Sequence, residues 1–291
     1  CYNSTSLIRL STQTKNDPTV MYNVDEFGKA RSDYVSEKRK PTVTRRTKPP
    51  AQINQSVRDS IECLLEIASL EQPIGSRELA RRLNQNHTRI NRIISTLSYM
   101  GLTDQTSDRK YIAGPGLLVL ASLSLRSFPV YRCAMPHLEE LGKQTGYQVA
   151  LGLRWRTNVT YLYHGHTQEH AALGIAAEGL YPAESSSIGL VLLSQLSNEE
   201  ITQLYSHAID TDMNVLFERV EQTRRNGFAI APNARSIAMP LGEPAIAGIA
   251  LYHTEEQDEL PQQSEYIQEL TLHLQNTVNN ILAEMRCKRI Y

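Results

Sequence analysis

The 291-residue chain is poor in cysteine: Cys1, Cys63, Cys133 and Cys287 are widely separated and form no C-x-x-C pair. A disulfide framework is not expected, and Cys63 and Cys133, set within apolar helical patterns, read as reduced core residues. No run of about 18 uncharged apolar residues occurs, and the N-terminus lacks the basic-then-apolar order of a secretory signal. Membrane insertion and export are unsupported, and the cytoplasm is the expected compartment. The sequence leaves open whether the residues before Met21 belong to the native protein. There is no G-x-S-x-G elbow, so the serine run 185–187 is not read as a nucleophile and no enzymatic activity is expected. His164 and His166 have H-x-H spacing, with His170 beyond them, and alternate residues on a strand share a face. With no Cys nearby and Glu169 the sole close carboxylate, a solvated loop is the preferred reading; neither metal nor cofactor is expected.

What the chain does have is 41% hydrophobic residues, enough for two cored domains, and an uneven distribution of charge. Residues 31–115 carry fifteen Lys and Arg against nine Asp and Glu, whereas residues 116–291 carry twelve against nineteen. A basic module followed by an acidic one fits a nucleic-acid-binding part joined to another function, because phosphate attraction requires only local positive charge. An unevenly charged solvated surface is the plainer alternative.

Residues 1–52 read as a disordered basic tail. Pro41, Pro49 and Pro50 oppose helix formation, and the run "SEKRKPTVTRRTKPP" repels itself. It could follow a DNA groove or be surface disorder alone. A first helix starts near Asn54, with Val57, Ile61, Leu64, Leu65 and Ile67 or Ala68 inward, and ends at Pro73 and Gly75. Ser76 is the expected N-cap of a second helix with Leu79, Ala80 and Leu83 inside. After a turn at 84–86, Thr88 or His87 is expected to cap a third helix whose Ile90, Ile93, Ile94, Leu97 and Met100 face inward, and Gly101 stops it. His87, Thr88, Arg89, Asn91 and Arg92 are then left outside in its first turns, all able to donate to phosphates or base edges. That division of faces is what a helix-turn-helix needs, though any three-helix bundle has a polar exterior. "GLTDQTSDRKYIAGPG" continues as strand, polar turn and strand, at 102–103, 105–109 and 110–112. It reads as a wing, or as a plain hairpin, with Arg109 and Lys110 at its tip.

The order of helix, "SRELARRL", turn, "TRINRIISTLSYMGL", wing and "YIAGPGLLVLA" resembles the DNA-binding domain of the IclR family of bacterial transcriptional regulators. "MPHLEELGKQTGYQVALGL", "LYPAESSSIGLVLLSQLSNEEI", "RRNGFAIA", "SIAMPL" and "AIAGIALY" extend the resemblance, which runs over roughly residues 54–286. It implies a winged helix-turn-helix at 53–114, a linker and dimerisation helix at 115–128, and a GAF-like effector-binding and oligomerisation domain at 129–291. From the residues themselves, "GLLVLASLSLRS" is apolar enough to suggest burial against a second subunit. Strand-like runs at 147–154, 158–164, 228–231, 235–240 and 246–252 alternate with helices near 187–195, 198–205, 213–226 and 261–286. That mixture suggests an antiparallel sheet flanked by helices, an α+β fold.

The resemblance also implies a site. Its walls would be Leu173, Tyr181, Ser187, Ile188, Ala231, Ser236, Ala250 and Tyr252, with the Ser187 and Ile188 amides facing a carboxylate. Members that bind small acids have an Asp where this chain has Ala231, and two serines where it has Ala250 and Tyr252. An aromatic or partly apolar organic acid therefore fits better than a small, highly oxygenated one. The expected protein is a homodimeric or tetrameric repressor-type regulator that binds a pseudo-palindromic double-stranded operator. Arg89, Asn91 and Arg92 would contact bases or phosphates, Thr88 and His87 would fix the helix entry, and Arg77, Arg109 and Lys110 would hold the flanking backbone. The alternative is a ligand-independent DNA-binding regulator with a vestigial pocket. Trp155, between Arg154 and Arg156, reads as a cation–π pair or as the aromatic lid of a turn.

Overall fold

The computed structural model describes residues 23–24, 30–31, 52–165, 180–206, 208, 211–253, 260 and 263–288. The chain divides into Cys1–Lys48 and Pro49–Tyr291. In the first unit, β1 (Asn23–Val24) pairs antiparallel with β2 (Ala30–Arg31). Apart from Gln52, the rest of the expected tail lies outside the described residues.

The second unit opens with three helices, α1 (Gln55–Ala68), α2 (Ser76–Arg82) and α3 (His87–Tyr99). Cys63, Ile67, Ile74, Leu79, Ala80, Ile90, Ile94 and Leu97 form their shared core. Helix α3 is capped by Asn86, whose side chain accepts from the Thr88 and Arg89 amides, and not by Thr88 or His87. An Asn at the turn can leave the helix in extended geometry and still reach two orphan donors. Ser76 is likewise already helical; Gly75 occupies the cap and offers no side-chain bond. The inward face of α1 also differs from expectation. Val57 and Ile61 are exposed, and the buried positions are Asp59, Cys63 and Ile67. Met100 is exposed as well, because it is the C-cap of α3 and lies past the last full turn.

The wing pairs β3 (Thr103–Gln105) with β4 (Tyr111–Ala113) antiparallel. Its turn spans residues 106–110, one position later than the sequence pattern suggested, because Thr106 closes the loop onto both backbone polar groups of Lys110. Reciprocal backbone bonds between Ile74 and Tyr111, at 3.0 and 2.8 Å, tie the wing to the loop before α2. Two glycines then bring helix α4 (Pro115–Ser127) against this head. The Gly114 amide donates to Leu102 O and the Gly116 amide to Gly101 O, at 3.0 and 2.8 Å. A Cβ on Gly114 or Gly116 would stand 2.7 or 2.6 Å from Gly101 O.

The remainder is an α+β domain. Helix α5 (Pro129–Thr145) leads into a six-stranded antiparallel sheet, order β7-β6-β5-β10-β9-β8, built from β5 (Gln148–Trp155), β6 (Asn158–Gly165), β7 (Leu180–Pro182), β8 (Ala229–Ile230), β9 (Ser236–Leu241) and β10 (Ala247–Tyr252). Helices α6 (Ser187–Leu193), α7 (Asn198–Leu204), α8 (Met213–Asn226) and α9 (Ser264–Cys287) complete it. The short edge strand β7 carries no sequence signal of its own, and α9 begins at Ser264 instead of residue 261.

Alternation along the strands produces two cores. Val149, Leu151, Ile237, Leu241, Ile249 and Leu251 face α5 and α9, whose contribution includes Leu138, Leu141, Leu270, Leu274 and Ile281. Ala150, Ala238 and Ala250 face α6 and α8, with Ile188, Leu190, Val191, Leu216 and Val220. The second face carries small residues because α6 lies close upon it. Gly152 and Gly248 are direct cross-strand partners, and the Ile188 side chain sits over both. No described helix is by itself long and apolar enough to cross a membrane.

Candidate nucleic-acid interface and effector site

The three-helix head presents one polar edge. His87, Thr88, Asn91 and Arg92 are exposed along the first half of α3, while Ile90 and Ile94 on its opposite side are 0% exposed. The helix is therefore held by its apolar face and its donors project outward. A side-chain hydrogen bond of 3.0 Å between Ser76 Oγ and His87 Nε2 links the starts of α2 and α3. Arg77 is exposed on the first turn of α2. Arg81 and Arg82 are committed within the protein, Arg81 to Glu78 and Arg82 to Glu78 and Glu66. Their hydrogen bonds hold the Glu78 carboxyl below its ordinary range.

At the wing tip, Arg109 has a left-handed backbone (φ 60°) and is exposed. Lys110 pairs with Asp108 at 2.9 Å. Hydrogen bonds, first from Thr106 and then from Lys110, keep the Asp108 carboxyl low. Among the described residues no ion pair engages Arg77, Arg92 or Arg109. Arg89 departs from this pattern: it is half-buried, and its Nη2 lies 2.6 Å from the buried Asp59 of α1. The sequence grouped it with the outward residues because α3 alone gives no sign of a partner thirty positions earlier.

The second candidate site lies on the α6 side of the sheet. Residues 161 and 164 would normally face opposite ways, yet the β5–β6 register shifts between Leu151 and Gly152. Tyr161 is paired with Gly152 and His164 with Ala150, so both side chains fall on one face. The result is a row of rings. Tyr181 meets Tyr161 edge-on with centroids 6.4 Å apart, Tyr161 lies 5.1 Å from His164, and His164 stacks on Tyr252 at 4.4 Å. Hydroxyls border the row. Ser187 Oγ and Ser236 Oγ are 2.8 Å apart, tying α6 to β9, and Tyr161 Oη is 3.4 Å from Ser186 Oγ, which also caps the Gly189 amide.

The structure thus brings Tyr181, Ser187, Ser236 and Tyr252 to one region. Ile188, Ala231 and Ala250 are buried in the packing beneath, and Leu173, His166 and His170 lie outside the described residues. Tyr161 and Ser186 were missed by sequence reasoning, and His164, weighed there as a metal ligand or a solvated-loop residue, stands instead in β6 against Tyr252, because a one-residue bulge leaves no trace in a strand's composition. Nearby, burial and the Glu184 carboxylate, which accepts the Tyr205 hydroxyl proton at 2.8 Å, push the Tyr205 phenol up from its ordinary range. Arg156 lies 6.0 Å from the Trp155 ring, so the cation–π reading applies to that residue. No cluster of His, Cys, Asp and Glu able to hold a metal occurs among the described residues.

Comparison with known proteins gives concordant matches. Residues 122–281 match the sequence model described as bacterial transcriptional regulator IclR C-terminal. The acetate operon repressor of Salmonella typhimurium is 24% identical over 212 residues, spanning 69% of this chain and 77% of that protein. An IclR family transcriptional regulator from Brucella abortus superposes with a TM-score of 0.69 at 18% identity, covering 82% of this chain and 97% of the other. An IclR homolog from Microbacterium hydrocarbonoxydans, solved with 4-hydroxybenzoate, gives a TM-score of 0.56 at 18% identity over 78% of this chain and 98% of its own.

Proposed function

Because the chain belongs to the IclR family of bacterial transcriptional regulators, we propose that its winged head reads a DNA operator and that its C-terminal domain answers to an aromatic or partly apolar organic acid. The observation that carries the DNA reading is the exposed first half of α3. Thr88, Asn91 and Arg92 offer donors suited to base edges and phosphates, on a helix whose other side is locked by Ile90 and Ile94. His87 holds the helix start, and Arg77, Arg109 and Lys110 flank it for the phosphate backbone.

The ring row Tyr181, Tyr161, His164 and Tyr252 supports the effector class. Flat aromatic surfaces favour a flat, partly apolar ligand, and the hydroxyls of Ser186, Ser187 and Ser236 suit its polar end. The homolog solved with 4-hydroxybenzoate makes that compound the first to try. Helix α4 leaves Leu118, Val119 and Leu120 at 74%, 57% and 53% exposure, an apolar face that a second copy would cover. A dimer would then offer two reading helices to the half-sites of a pseudo-palindrome. A ligand shifts such an assembly only by binding two arrangements unequally.

Selection of binding sites from a random duplex library tests the first half of the proposal: a reproducible two-fold motif is expected, and a library that stays random refutes it. A thermal-shift series with 4-hydroxybenzoate, other aromatic acids and small aliphatic acids tests the second. Stabilisation by the aromatic set is expected. No stabilisation by any acid would identify a ligand-independent regulator.

A further inference from the structure

A carboxylate seldom leaves water in a small helical domain unless cations and donors meet it. Asp59 is 1% exposed on the core side of α1. Gln55 Nε2 donates to its Oδ1 at 2.8 Å, and Arg58 Nε lies 3.8 Å from the same oxygen. Its Oδ2 takes no conventional hydrogen bond from a described residue and is compensated by Arg89 Nη2 at 2.6 Å. Arg89 is the third residue of α3, on the turn proposed to enter the groove, and it is 38% exposed while Thr88, Asn91 and Arg92 around it are open. Its guanidinium points back to α1, across the packing of the head.

We propose that Asp59 is a positioning residue of the reading head: it clasps Arg89, fixes the first turn of α3 against α1, and withholds that guanidinium from the phosphates. The inference rests on the DNA-reading role proposed above and reassigns one residue within it. Arg89 sets where Asn91 and Arg92 stand, and those two, with Thr88, do the reading. Arg89 supplies the charge nearest to Asp59 and is the cation that joins it to α3, so loss of either partner releases the same turn.

The test uses the full chain, the duplex recovered by library selection and a scrambled duplex, titrated over a range of salt. Asp59→Asn and Arg89→Gln are each expected to lower the ratio of the two affinities by about tenfold, and the double variant to lower it no further than either single one. The salt dependence separates a clasp from a contact. Arg89→Gln leaves the slope for the recovered duplex unchanged, whereas Arg92→Gln reduces it by about 0.9 for each phosphate lost. If Arg89→Gln reduces the slope by that amount while Asp59→Asn keeps the ratio, Arg89 is an ordinary phosphate contact and the clasp is wrong. Where an orphaned charge unfolds a single variant, denaturation midpoints decide: a double variant above both singles supports the clasp, and one below both overturns it. A wild-type protein that recovers no motif refutes DNA reading itself, and the midpoints still judge the clasp.

Discussion

Replacing Gly116 by alanine opposes two effects of known sign. Gly116 lies in the first turn of α4, where helix propensity favours Ala over Gly by up to about 1 kcal/mol. The new Cβ, however, would stand 2.6 Å from Gly101 O and 3.0 Å from Gly101 C. That oxygen accepts the Gly116 amide at 2.8 Å, and it belongs to a residue held in the left-handed region at φ 70°, which leaves the turn little room to retreat. Overpacking of this kind costs about 1–3 kcal/mol, and losing the hydrogen bond adds about 1 kcal/mol. The net expectation is destabilisation of about 1–3 kcal/mol, centred on the wing. Amide hydrogen exchange resolved over β3, β4 and the start of α4 is the suitable assay, because the sole tryptophan, Trp155, lies in the other domain. Gly75→Ser is the control: a Cβ there meets nothing within 4 Å, and a serine adds the capping side chain that position lacks. Exchange in the wing no faster for Gly116→Ala than for wild type would show that the close approach is not what holds α4 to the head.

Gly248→Ala places a Cβ 2.8 Å from Ile188 Cγ2, so unfolding stability measured by Trp155 fluorescence in urea should fall by about 1–3 kcal/mol; combining it with Ile188→Val should recover part of the loss. Ser197→Ala removes a reciprocal capping box with Glu200 at the start of α7 and should cost about 1 kcal/mol in the same assay. Burial, then the carboxylates of Asp59 and Glu62, push the Cys63 thiol up to about 11. Below that pH the thiol stays protonated, so iodoacetamide at pH 8 should label exposed Cys287 and spare Cys63. Equal labelling of the two in native protein, read by peptide mass spectrometry, would contradict the burial described for α1.

Much of this architecture is legible from local signals. Helix α8 spans Met213–Asn226, the range that its pattern predicts, and strands β5, β6, β9 and β10 stand within about two residues of their apolar runs. What escaped depends on contacts distant in sequence. Helix α1 carries two stripes at helical spacing, and the more apolar one, Val57 and Ile61, is the exposed one. The buried stripe includes Asp59, whose carboxylate is met by Gln55 and Arg58 of its own helix and by Arg89 from α3. The pairing of Arg89 with Asp59 likewise leaves no sign in the pattern of either helix. In the second domain, the bulge that brings His164 beside Tyr161 arises from pairing with β5 and has no signature in β6 alone.

If the exposed first half of α3 reads DNA, replacing Arg92 by alanine removes one of its donors, and wild type and Arg92→Ala should then differ in binding. Both would be titrated at matched salt against the duplex recovered by library selection and against a scrambled one. Arg92→Ala is expected to lose about 1–3 kcal/mol on the recovered duplex and less on the scrambled one, with sequence preference relaxed. Equal affinity of the two proteins for the recovered duplex would contradict it.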